Sequence, residues 1–306
     1  MCYQILANIV KLTPKLTEAD MFLIIKTSTD TFYSVQLPQS DTSPNKKSNN
    51  TKKDTKESLL STSSASLTPE TDPSDPLAVH TSELALLHGD TVYEATNRSL
   101  DSLLHTCLDQ DMTSNNLKFI FKYLEPWLTS VNDHERLRSM RSLSTVLGHF
   151  ADNYKISPGQ VRHDFDYFGH ILGAIISRMT DPQIPVRLLT IDCIENLLKL
   201  YQIFTETVVF DQSGRQFEQL VVFKQKLTKS DANVLLGAVS DMTKLLCKLV
   251  PAGGQLMEFI EKLIDGLLDV NSHCSSASCI FLNFCVKLRA VELKENVSEY
   301  DWYWVL

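Results

Sequence analysis

His273, Cys274, Cys279 and Cys285 are side chains of the kind that ligate zinc. Structural zinc sites present tight pairs such as Cys-x2-Cys. Here Cys279 and Cys285 stand six positions apart, about 600° around a helix at 100° per residue, and therefore on different faces. The four read as core and turn residues. Asp133, His134 and Glu135 are acid–base types in one run. Consecutive residues at a helix start point in different directions, and Glu135 reads instead as a favourable charge at a helix N-terminus. The sequence has no His-Glu-x-x-His, no phosphate-binding glycine loop and no Gly-x-Ser-x-Gly. Gly253-Gly254 reads as a turn. The expectation is a non-enzyme, with no catalytic, cofactor-binding or metal-binding residue.

Arg136 and Arg187 carry a different chemistry, because a guanidinium holds carboxylates or carbonyls in a fixed planar fork. They lie 51 residues apart, and that offset recurs on both sides of them. Before a turn it pairs Leu117/Phe168, Ile120/Ile171, Phe121/Leu172, Leu124/Ile175 and Leu128/Met179. After the turn it pairs Leu137/Leu188, Met140/Ile191, Leu143/Ile194, Val146/Leu197, Leu147/Leu198 and Phe150/Tyr201. A register kept through two helices and a turn marks a solenoid of helical hairpins, which stack because none buries its apolar face alone. The arginines then have two readings. One is bonding between neighbouring repeats, which a stack favours; the other is an anion site.

The elements that position these residues follow from period and caps. The first hairpin reads as helices over Leu117–Thr129 and Glu135–Asn153. The second reads as Asp166–Met179 and Val186–Tyr201. Asp181 in the second turn can accept backbone N–H bonds, and Pro185 suits a first helical turn, where its missing N–H is not needed. Pro126 should bend its helix or start the last section. A helix over Thr91–Leu108 precedes the hairpins, with Val92, Ala95, Leu100, Leu103, Leu104 and Cys107 on one face. Further helices are expected near Gln216–Lys226 and from Ser230 or Asp231 to Val250, the latter with Val234, Leu235, Val239, Met242, Leu245 and Leu246 inward. A last hairpin covers Gln255–Val270 and Ala277–Val291, with Ile280, Phe281, Phe284, Cys285 and Leu288 at helical spacing. Ser275 and Ser276 stand where its arginine would fall.

Composition sets the frame. The chain has 306 residues, 43% of them apolar, enough for a packed core. Its formal net charge of -8 opposes nonspecific binding to nucleic acid or anionic membranes. The seven cysteines are irregularly spaced, which disfavours a disulfide framework and favours the cell interior. No signal peptide and no membrane-spanning run is read. Residues 1–35 form a short segment that supplies a strand or a short helix. Residues 36–80, rich in Ser, Thr, Asn, Lys and Pro, read as a disordered linker that buries too little apolar area to offset its ordering entropy. Residues 82–291 form the solenoid, and 292–306 a tail ending in Trp302, Tyr303, Trp304, Val305 and Leu306.

The second turn, Asp181-Pro182-Gln183-Ile184-Pro185-Val186-Arg187, resembles the HEAT-repeat turn of Asp, Pro, Val and Arg. Upstream, Leu124, Trp127, Leu128 and Ser130, then His134-Glu135-Arg136 and a Leu-rich second helix, resemble the Maestro heat-like repeat family. The resemblance covers about residues 82–291. It implies stacked hairpins, no catalytic residues, and turn Asp and helix Arg bonds along the stack at Asp181, Arg136 and Arg187. The first turn departs from the pattern: it lacks Pro, and Asp133 is only three residues before Arg136. Family members often hold many more repeats than this chain, which is then a short member, a fragment or a shortened form.

Together these readings give an all-α, HEAT-like helical-hairpin solenoid behind a disordered N-terminal linker. The expected function is a noncatalytic protein-interaction scaffold that binds other proteins through the solenoid surface, in the cytoplasm. A membrane-peripheral or vesicle-trafficking adaptor is one alternative. A nuclear protein imported through Lys46, Lys47, Lys52, Lys53 and Lys56 is another.

Overall fold

The computed structural model describes residues 2–11, 15–35, 76–155, 165–205, 215–229 and 231–297, and side chains only in part at the ends of these stretches. The Lys-rich segment, most of the expected linker and the aromatic tail from 298 onward lie outside the described residues. Two compact units are distinguished. One comprises 1–35 with 97–306; the other, Gln36–Thr96, contributes among the described residues only the first part of one helix.

Among the described residues there are helices and no strands. The N-terminal segment is helical: α1 (Cys2–Val10) and α2 (Glu18–Ser34). Thr17 and Asp20 cap α2 reciprocally, each side chain bonded to the other's backbone N–H. Helix α3 covers Pro76–Asp109. It thus begins well before the expected Thr91, inside the segment assigned to the linker, with proline at the first position where its missing N–H is harmless. Its stripe is narrower than expected: Leu100, Leu103, Leu104 and Cys107 are buried, whereas Val92 is exposed.

The two matched hairpins are α4 (Ser114–Leu128) with α5 (Asp133–Asn153), and α6 (Phe168–Ile176), extended by a 3-10 turn (Ser177–Thr180), with α7 (Ile184–Thr205). Pro126 does not break α4, which continues to Leu128; the proline sits in the last turn, close enough to the end for the helix to absorb it. Nearly every apolar position paired by the 51-residue offset is buried, and α5 packs along α7.

Next come α8 (Arg215–Leu227) and α9 (Ala232–Leu249), then the last hairpin, α10 (Gly254–Leu267) with α11 (Ser272–Leu288), and the short α12 (Ala290–Val297). Helix α11 starts five residues before the expected Ala277, because Asn271 caps it by accepting from the His273 and Cys274 N–H groups. The inward face shifts with it. Cys274, Ala277, Ser278, Phe281 and Cys285 are buried, while Leu288 is exposed. Val234 at the start of α9 is likewise exposed, not inward.

The stack does not follow chain order. Helix α6 packs on α4 and on α10, so the second hairpin meets the last one directly. The last hairpin repeats the second 88 residues on: Phe168/Leu256, Ile171/Phe259, Ile175/Leu263, then Val186/Cys274, Thr190/Ser278, Cys193/Phe281 and Leu197/Cys285, all buried. The longer offset accommodates α8 and α9. Helix α8 packs on α7 and α9, and α9 packs on α11 and the 3-10 turn. No described helix is long and apolar enough to cross a membrane.

Candidate functional site

The hairpin turns bring buried charges together. At three equivalent turn positions a side-chain oxygen accepts from the backbone N–H two residues on. These are Ser130 from Asn132 (3.1 Å), Asp181 from Gln183 (3.0 Å) and Asp269 from Asn271 (2.8 Å). Such local bonds fix each turn, and at Asp181 and Asp269 they leave the second carboxylate oxygen for a partner along the stack. Arg136 Nε donates to Asp181 Oδ2 at 2.8 Å, tying the first hairpin to the second turn. Arg136 also donates to the Ser130 and Val131 carbonyls and to Asp133. Burial works against its charge, but Asp181 and then Asp133 outweigh that and raise its pKa further. Arg178, in the 3-10 turn, pairs with Asp181 (3.3 Å) and with Asp269, tying the second turn to the last. Asp181 is fully buried and Arg178 nearly so, which makes this pairing structural: a charge out of water is tolerable only with its partners in place.

Arg187 departs from the expected bonding. It is 3% exposed, yet among the described residues its side chain makes no hydrogen bond or ion pair, and its Nε is buried without a partner. Burial lowers its pKa and Asp181 restores only part. The second rung of the ladder belongs to Arg178, a residue that the Arg136/Arg187 match hides. Pro185 is exposed in the first turn of α7. Trp127 is half-buried and meets Tyr33 of α2 edge-on, with ring centres 5.6 Å apart.

Two further arginines act as helix caps that sequence reading missed. Arg138, 2% exposed, donates to the Phe32 (2.7 Å), Tyr33 (3.0 Å) and Val35 carbonyls at the end of α2. Arg289 donates to the Cys247 (3.0 Å) and Val250 (2.8 Å) carbonyls at the end of α9. These carbonyls have no partner within their own helix, so the cations meet both the hydrogen-bonding and the dipole requirement. No local sequence signal announces acceptors 39 to 106 residues away.

A further polar cluster joins the helices themselves: Glu125 of α4 accepts from His170 of α6 (3.1 Å) and pairs with Lys262 of α10 (3.0 Å). Burial pushes the Glu125 carboxyl up, but His170 and Lys262 outweigh it and hold the group below the usual glutamate range. Gly169 and Gly173 bring α6 and α10 this close. A Cβ on Gly169 would lie 2.1 Å from the Gln255 carbonyl oxygen, and one on Gly173 would lie 2.9 Å from that of Phe259.

The zinc-type residues do not converge. Cys274 and Cys285 lie in the core and Cys279 on the surface. Among the described residues no group of three or more His, Cys, Asp or Glu side chains could hold a metal ion. Of the acid–base run, Asp133 serves Arg136, while Glu135 accepts from Asn132 and bonds Ser130.

Repeated hairpins joined by buried arginine–aspartate bridges at their turns define a repeat protein of the helical-solenoid class. The chain belongs to the family described as Maestro, HEAT repeats, which matches residues 134–301. It is 26% identical over 209 residues to the human Maestro heat-like repeat-containing protein family member 1, covering 68% of this chain and 12% of that protein. The cattle protein of the same name is 28% identical over 210 residues, 69% of this chain and 12% of the relative. Human Maestro heat-like repeat family member 5 is 30% identical over 95 residues, 31% of this chain and 7% of the relative. The matched stretch is thus a small part of these much longer relatives. No solved structure matches the chain.

Proposed function

We propose that this protein is a noncatalytic scaffold that binds other proteins through the surface of its hairpin stack. The observation that carries the reading is an apolar groove beside α8 and α9. Val222 and Val234 line a cavity of about 330 Å³ with Gln225, Lys226, Lys229 and Asp231. Val222 and Val234 stay exposed here, although the hairpins bury nearly all of their own repeated apolar positions. Clustered exposed valines rimmed by polar groups are the pattern of a contact surface rather than of a core. A partner helix or extended peptide would place one or two apolar anchors in the groove, where most binding energy concentrates. The cytoplasm is the compartment this reading proposes.

The test is proximity labelling in the native cell type with the full chain and with a Val222→Asp/Val234→Asp variant. The scaffold reading expects a defined set of labelled proteins that the double variant loses while its melting temperature holds. An identical set from both forms would remove this groove as the binding surface.

A further inference from the structure

The geometry points to Arg187 as the anchor of an anion site that takes a carboxylate. The repeat itself shows what is missing. Arg136, its equivalent 51 residues earlier, is served by two carboxylates and two carbonyls: Asp133 and Asp181, Ser130 and Val131. At Arg187 the position matching Asp133 is Ile184, which brings no charge. The turn aspartate that Arg136 finds in the next hairpin has an equivalent ahead of Arg187, but it is not free to serve it. The last hairpin's Asp269 is paired with Arg178, and Asp231, at the start of α9, accepts from the Asn233 and Val234 N–H groups.

The charge count leads to the same place. Arg136, Arg178 and Arg187 are each under 5% exposed, while the buried carboxylates among them are those of Asp181 and Asp269; Asp133 is 64% exposed. One guanidinium is left without a carboxylate of its own. A buried cation in that state is expensive, and a buried polar group without a partner calls for a missing ion, water or ligand. Arg forks select oxyanions, and the pairing partner at the equivalent site is a carboxylate. The carboxylate can belong to a free small acid or to an aspartate or glutamate of a bound protein segment. The inference needs no particular function for the groove at α8 and α9.

The experiment melts the full chain at pH 7.5 and constant ionic strength in sodium chloride, in sodium acetate, and in chloride with a capped Asp-Pro-Gln tripeptide amide. Wild type is compared with Arg187→Met and, as a control, Arg136→Met. In acetate or with the peptide, wild type should melt about 3 °C higher, as expected near tenfold saturation. Arg187→Met should show no such shift and should melt in chloride at or above wild type, since the cation it loses makes no hydrogen bond or ion pair among the described residues of the fold. Arg136→Met should melt far lower while keeping the response. A shift with the peptide alone assigns the site to protein-borne carboxylates; a shift with acetate shows that a free acid suffices. The inference is overturned if neither additive shifts wild type or if both forms shift alike. It is equally overturned if Arg187→Met melts several degrees lower in chloride or does not fold.

Discussion

Gly169→Ala should separate the second hairpin from the last. The new Cβ would stand 2.1 Å from the Gln255 carbonyl oxygen, a distance real Cβ atoms essentially never show; even 3.0 Å requires the facing backbone to retreat by about 1 Å. The obstacle is main chain of α10, so no rotamer change relieves it. Dispersion contacts fall by a quarter to a half across a gap of roughly 0.5–1 Å, and this gap would run along α6 and α10 with Leu256, Phe259, Ile260 and Leu263 beside it. Overpacking of this kind costs about 1–3 kcal/mol. Gly237 provides the control. It lies inside α9, where an added Cβ would meet nothing within 4 Å, so Gly237→Ala should stabilise by roughly 0.5–1 kcal/mol through helix propensity alone. Equilibrium urea unfolding of both variants measures the difference between two chemically identical substitutions. If Gly169→Ala matched or exceeded wild-type stability, the close approach of α6 to α10 would be wrong.

Asp181→Ala takes from Arg136 and Arg178 the buried carboxylate they share and should cost about 3–5 kcal/mol by urea unfolding; a loss under about 1 kcal/mol would mean that the bridges are not formed. Arg138→Met leaves three carbonyls at the end of α2 without their donor, at roughly 1–3 kcal/mol each if they stay buried. Amide exchange should then quicken in Glu18–Ser34 while α5 and α7 keep their protection. His105 tests the contact between α3 and α5, where its ring stacks on that of His149 at 4.2 Å. Burial and then His149 lower its pKa, against the opposing pull of the Thr145 carbonyl and Asp109. A base whose pKa is depressed on folding contributes stability that is complete above the unfolded value, near 6.5, and is lost as pH falls through the folded one. The urea midpoint should therefore drop between pH 7.5 and 5.5, and His105→Gln should drop less; equal slopes would refute it.

What the chain determines by itself is the repeat. Apolar residues at helical spacing must be buried, and a 51-residue register leaves stacking as the way to bury them, so α4 through α7 are legible from Leu117 to Tyr201. The pairing of turns is legible only where both partners obey that register, as Arg136 and Asp181 do. Tertiary structure decided the rest, because it depends on which segments meet. Helices α8 and α9 interrupt the register, and only the contact of α6 with α10 reveals the 88-residue continuation and gives Asp269 its role. Arg178 outcompetes Arg187 for the second rung from a 3-10 turn whose geometry no periodicity predicts. Arg138 and Arg289 look like ordinary helix arginines until distant carbonyls arrive, and Gly169 and Gly173 look like weak helix formers until another backbone lies against them. A local pattern records what a residue needs to bury; it cannot record which neighbour will satisfy it.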